Sequence, residues 1–288
     1  MRLGLSLPMF TDDAERPLAA AARAARAGFE GVFAPDHLFP PGEPGRPALE
    51  PFAILAAVAA RHPELHVGTL VSRASLRPAA ILAKQGAALD EMSGGRAILG
   101  LGTGDSVSKA EHEAFGIPFA PAAERVALLE ETVRAMRALF TGAPWEGGPH
   151  VPAIAGPLLP TGHPELWVGG RSNAVIATAA RYADAWNGWA MDADRFAEAV
   201  RELRRVADDR PVSPTWGGIV LVGSDAADLE RLRAERSARG LSMDVWQGEG
   251  PAFRAFADRL RAMDCSWIVV LPVGGPDRIE VVAEALER

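Results

Sequence analysis

Short apolar runs alternate along the chain with longer segments whose apolar positions recur every three to four residues. The runs cover residues 3–8, 31–35, 66–71, 96–102, 165–168, 185–189, 215–222 and 267–271. Their brevity and content of Val, Ile, Leu and Trp predict strands buried on both faces. The helical pattern occupies residues 14–27, 51–61, 78–92, 121–140, 173–183, 193–208, 226–239 and 278–286. Gly28 closes the first of these and Ser93-Gly94-Gly95 the third, as helix stop signals should. Strands that alternate with helices pair in parallel through crossovers. Eight such units predict an α/β fold, a closed (β/α)8 TIM barrel forming a single domain over residues 1–288, with an open sheet as the alternative.

Two segments break the rhythm. Residues 141–162 are rich in Gly and Pro, yet carry Trp145, Val151, Ile154, Leu158 and Leu159. That apolar content predicts an insertion loop between the fourth helix and the fifth strand, packed near the barrel mouth with a short hairpin. Residues 241–251 form a second break, between two helical stretches of the seventh unit.

Composition narrows the function more than the fold. A chain of 288 residues with 48% apolar and 23% charged residues reads as an ordinary globular protein. The net charge of −7 argues against a nucleic-acid partner, which would select for excess Lys and Arg. No run of 18 apolar residues spans a membrane, and the first residues alternate apolar and small until Pro8, as a strand and not a signal peptide. Cys265 is the lone cysteine, which suits a reducing cytoplasm. The six histidines show no metal-ligand spacing, and no G-x-S-x-G elbow marks a hydrolase.

Barrel enzymes collect their chemistry at the C-terminal ends of the strands. That rule selects Asp36 and His37 after strand two, and Ser72, Arg73 and Ser75 after strand three. It also selects Gly102-Thr103-Gly104-Asp105 after strand four and Gly169-Gly170-Arg171-Ser172 after strand five. Imidazole is the side chain best suited to move protons near neutrality, so His37 is the first catalytic candidate. Asp36 either orients His37 or caps the loop. The glycines at 102–104 let a ligand ring approach the backbone, with Asp105 pointing into the pocket as an acid. The 169–172 segment opens a helix, where free N–H groups and Arg171 can hold a phosphate. Among the tryptophans, Trp189 and Trp216 near strands, and Trp145 and Trp246 in loops over the mouth, are candidates to line an apolar substrate pocket.

Three strings resemble a known family. Residues 28–37 (GFEGVFAPDH), residues 90–104 (DEMSGGRAILGLGTG) and residues 167–170 (WVGG) followed by ADAWN at 183–187 are similar, in order and spacing, to the luciferase-like oxidoreductases. The resemblance implies a small-molecule substrate and a ring cofactor, either the deazaflavin F420 or FMN. Deazaflavin-using members carry Gly-Thr-Gly-Glu where this chain has GTGD, whereas many FMN-using ones carry Gly-Ala-Gly-Trp. F420 is therefore the expected cofactor and FMN the alternative. The resemblance also implies that His37 faces the ring, and that Leu70, Val71 and Ser72 lie behind it with a cis Leu70–Val71 bond. Relatives often dimerise, which admits a homodimer here. The expected activity is F420-dependent hydride transfer, with catalytic residues His37 and Asp105. Its rivals are an FMN-dependent monooxygenase and a non-catalytic flavin-binding barrel. An aldolase-type barrel would want a strand-end lysine, and only Lys84 and Lys109 exist.

Overall fold

The computed structural model describes residues 1–240 and 245–287, so residues 241–244 of the second break lie outside the described residues. Eight strands are paired in parallel in one closed ring: β1 (Arg2–Ser6), β2 (Gly31–Ala34), β3 (His66–Arg73), β4 (Ala97–Gly102), β5 (Glu165–Gly169), β6 (Ala185–Trp189), β7 (Ser213–Gly223) and, past a short ninth, β9 (Trp267–Pro272). Pairing of β1 with both β2 and β9, and of β7 with both β6 and β9, closes the sheet. This is the (β/α)8 barrel that the alternation predicts. The additional strand, β8 (Trp246–Glu249), pairs with the last four residues of β7 from Val220 to Gly223. It falls in the second break, where the sequence analysis places no strand.

The helices ring the barrel as α1 (Glu15–Arg26), α2 (Pro51–Arg61), α3 (Ala79–Ser93), α4 (Lys109–Ala114), α5 (Ala122–Phe140), α6 (Asn173–Tyr182), α7 (Ala193–Ala207), α8 (Ala226–Ala238), α9 (Gly250–Arg261) and α10 (Arg278–Glu287). Gly94 ends α3 in the left-handed conformation at φ 67°, which glycine enters without a Cβ penalty. The short α4 was not legible in the sequence, because six residues give too few turns for a period.

Alternation along each strand builds two layers. Inside the barrel, Phe33, Ile98, Trp167, Trp267 and Val269 form one cluster, with Phe33 stacked on Trp167 at 5.3 Å. Room for those rings comes from glycine on neighbouring strands: a Cβ on Gly4 would lie 2.7 Å from Phe33. Outward residues such as Val32, Val67, Leu99, Val168 and Trp186 pack under the helices in the larger core. Each fully buried side chain of this size is worth roughly 1.5–3 kcal/mol, so both layers hold the ring closed.

The 141–162 segment contains the expected hairpin, reduced to a bridge between Trp145 and Ile154. It does not lie over the mouth. Val151 packs against Ala79 of α3 and Ala135 of α5, and Glu131 of α5 accepts the N–H groups of His150 and Val151 at 2.8 Å each. The outer flank wins because the helices offer both an apolar groove and a buried acceptor there. No helix among the described residues is long and apolar enough to cross a membrane.

Candidate active site

The ends of β2, β3 and β4 bring His37, Arg73 and the 102–105 turn to one rim. His37 donates from Nδ1 to Oε1 of Glu111 at 2.8 Å, and its Nε2 makes no hydrogen bond among the described residues. Glu111, on α4, has no exposed side-chain surface, whereas the His37 side chain keeps 27%. The same carboxylate accepts the Leu38 N–H at 2.7 Å and the Arg73 guanidinium at 2.7 Å. Burial alone would push the Glu111 carboxyl up. The His37 and Leu38 hydrogen bonds, with the charges of His37 and Arg73, outweigh it and hold the group at about 2. Glu111 is thus a fixed anion that locks the imidazole with its proton on Nδ1 and leaves Nε2 open at the rim.

Glu111 escaped the sequence reading because it lies 74 positions from its partner, in a helix too short to detect. Asp36, its sequence neighbour, does not orient His37. It is 2% exposed and takes a bidentate pair from Arg77, at 2.5 and 3.3 Å. Its role is to pin the loop after β2 to the start of α3.

Asp105 also departs from expectation. Its side chain accepts the N–H groups of Val107 and Ser108, at 3.0 and 3.1 Å, and the Ser108 hydroxyl, capping the turn Ser106–Ser108. The orphan donors of a helical start outcompete the pocket for a short carboxylate. Thr103 donates to the Gly104 carbonyl at 2.9 Å.

The floor of the mouth is formed around Val71. The Leu70–Val71 bond is cis, and the β3–β4 register shifts between Thr69 and Ser72. Val71 and Trp189 are partly exposed and rest on the interior cluster. Glycines on the adjoining strands make room for Val71: a Cβ on Gly102 would lie 2.6 Å from it, and one on Gly169 2.8 Å. Val71, Gly102 and Gly169 therefore meet at this floor. Ser72 is buried, and its hydroxyl has no partner. Arg73 is 3% exposed, and its Nε and second amino nitrogen are likewise buried without partners, beneath Gly104.

The 169–172 segment divides. Gly170 donates its N–H to the Asn187 carbonyl at 3.1 Å, and its carbonyl accepts from the Trp186 indole N–H at 2.8 Å, so it has no backbone donor left for a phosphate. Ser172 caps α6 through Val175, and Arg171 lines a cavity of about 670 Å³ with Asn173 and Arg195. Donors for an anion must come from the first turn of α6 and from Arg171.

Of the tryptophans, only Trp189 reaches the mouth. Trp186 and Trp216 are buried in the outer layer against Phe196 and Phe256, and Trp246 packs on Phe253. Trp145 lies on the flank beside Arg134. Burial pushes the Cys265 thiol up to about 12, which removes it as a nucleophile.

A parallel barrel with a carboxylate-held histidine above a glycine-lined floor belongs to the class of (β/α)8 enzymes that work at the strand ends. Residues 1–263 match the family model of luciferase-like monooxygenases, and the chain belongs to that family of oxidoreductases. An uncharacterized protein of Mycobacterium tuberculosis is 30% identical over 212 residues, 67% of this chain and 71% of that one. A phthiodiolone/phenolphthiodiolone dimycocerosates ketoreductase of the same species is 28% identical over 70% of this chain and 56% of its own length. Among solved structures, an F420-dependent secondary alcohol dehydrogenase in complex with an F420–acetone adduct superposes with a TM-score of 0.83 at 17% identity, over 99% of this chain and 98% of its own. EDTA monooxygenase from Chelativorans sp. BNC1 also has a TM-score of 0.83 at 17% identity, over 100% of this chain and 93% of its own.

Proposed function

We propose that the protein is an oxidoreductase that uses coenzyme F420 and moves a hydride between it and a ketone or secondary alcohol at the barrel mouth. The observation that carries this reading is His37, locked by Glu111 with Nε2 open at the rim of the same mouth whose floor carries Val71 and Trp189. The residues fit a planar ring: Gly102 and Gly169 leave the wall bare where a Cβ would collide with Val71. Val71 and Trp189 would support the ring, and the first turn of α6 with Arg171 would hold the phosphate. The bound coenzyme supplies a ring carbon that accepts or returns a hydride.

The chain's own contribution is proton handling and position. When an alcohol is oxidised, its hydroxyl proton passes to Nε2 of His37; when a ketone is reduced, Nε2 returns it. Glu111 keeps Nδ1 protonated throughout, so the imidazole offers the same nitrogen in every turnover. Arg73 balances the Glu111 charge, so His37 can be neutral without leaving a buried anion unpaired. Support for F420 over FMN comes from GTGD at residues 102–105. The ketoreductase among the relatives supports carbonyl chemistry.

Anaerobic titration with F420 and FMN side by side, followed by fluorescence, tests the reading. F420 should bind at least about tenfold more tightly, a gap of about 1.4 kcal/mol. Equal or tighter binding of FMN would replace it with the monooxygenase alternative.

A further inference from the structure

A cleft of about 710 Å³ opens at the C-terminal ends of β1, β7 and β9, between α1, α8 and the loop at residues 273–276. Its deeper wall is apolar, with Leu7, Met9 and Leu221. Its charged lining is Arg16, Arg23, Arg46, Arg236 and Arg239 against Glu235 alone. That is an excess of four positive charges (five arginines less one glutamate) in a chain whose net charge is −7. Glu235 is already paired with Arg231, at 2.6 Å. Arg23 is committed to Glu280 and Arg46 to Glu43. Arg16 and Arg239 make no ion pair and no side-chain hydrogen bond among the described residues. These arginines are far apart in sequence, and only closure of the barrel brings α1 beside α8.

Cations around an apolar-walled cleft focus the field there, and guanidinium groups match the geometry of an oxyanion. The cleft leads to the chemistry: Phe10, part of its lining, meets the His37 ring edge-on at 5.7 Å. It also lies across the mouth from the 169–172 segment, because β1 and β5 are opposite one another in the eight-strand ring. The phosphate of a cofactor seated at α6 leaves this second anion site to another molecule.

We propose that Arg16 and Arg239 bind an oxyanion, a carboxylate or a phosphate, at the far end of the substrate, so that the enzyme acts on an acidic ketone or alcohol with an apolar body. This rests on reading the mouth as the reaction site. The test is calorimetric titration of the full chain at low ionic strength with hexanoate and with inorganic phosphate, in the presence and absence of F420. The variants are the double substitution Arg16→Gln/Arg239→Gln and, as a control on exposed α7, Arg201→Gln. At least one anion should bind saturably, weaken about tenfold or more in the double variant and keep its affinity in the control. Whichever anion binds identifies the acid group. Absence of saturable binding, or equal binding by the double variant, would overturn the proposal. Displacement of the anion by F420 would also overturn it, by giving the cleft to the cofactor. If F420 fails to bind while the arginine-dependent anion binding persists, the cofactor reading falls and the anion site stands.

Discussion

The Nδ1–H of His37 donates to Oε1 of a fully buried Glu111, and that single contact fixes which imidazole nitrogen faces the mouth. The first prediction follows from it. His37→Ala should lower turnover by about 100- to 10,000-fold, the usual contribution of a general acid or base. F420 affinity should hold, because the imidazole is not part of the floor or the phosphate cradle. A variant that loses stability but keeps per-molecule activity would show His37 to be a packing residue.

Replacing the partner separates orientation from chemistry. Glu111→Gln keeps an acceptor for Nδ1 but removes the charge that balances Arg73, which is 3% exposed. Breaking a buried pair from one side costs about 3–5 kcal/mol, so the melting temperature should fall clearly. Partners that orient metal-bound imidazoles typically cost about 10- to 100-fold in activity when mutated, and by analogy turnover of the folded fraction should drop by that order. Unchanged turnover and pH profile in the folded fraction would leave Glu111 a structural role only.

Acid should loosen this corner of the protein. The Glu111 carboxyl is held at about 2, below its ordinary value of 4.5, so the folded state favours the ionised form. Its contribution is complete above the unfolded value and is lost as pH falls from 4.5 towards about 2. Chemical denaturation across that window should show stability falling with acid more steeply in the wild type than in Glu111→Gln. Parallel curves would refute the assignment.

Asp105 offers a contrast to His37. Its carboxylate caps a helical turn, a task that serine performs about as well. Asp105→Ser should therefore keep turnover within about twofold, while Asp105→Ala should cost about 1 kcal/mol of stability. A large loss of turnover in Asp105→Ser would return Asp105 to the catalytic set.

Crowding around Val71 gives the last prediction. A Cβ on Gly102 would lie 2.6 Å from Val71, and overpacking of this kind costs about 1–3 kcal/mol. Gly102→Ala should both lower the melting temperature and weaken F420, because Val71 is forced off the floor. Gly170 is a poorer probe of the phosphate cradle: at φ 153°, with Val175 2.8 Å from its would-be Cβ, any side chain strains the fold. Arg171→Gln, exposed at the start of α6, is the cleaner test and should weaken F420 with the melting temperature unchanged.

The alternation of eight strand–helix units, the closed barrel and the rim that carries the site could be read from the sequence by itself, whereas α4 and β8 could not. Each depends on local period and on the rule that strand ends bear the chemistry, and both are properties of short windows of chain. His37, the 70–72 bulge and the 102–104 glycines were legible for that reason, the bulge through family resemblance. What each rim side chain touches was decided only by tertiary structure. Asp36 was claimed by Arg77, Asp105 by the free N–H groups of its own turn, and His37 by the buried Glu111, because each polar group takes the partner that the fold delivers. The placing of Arg16 and Arg239 around one cleft is likewise long-range: α1 and the end of α8 come to line it when β9 pairs with both β1 and β7 and closes the ring.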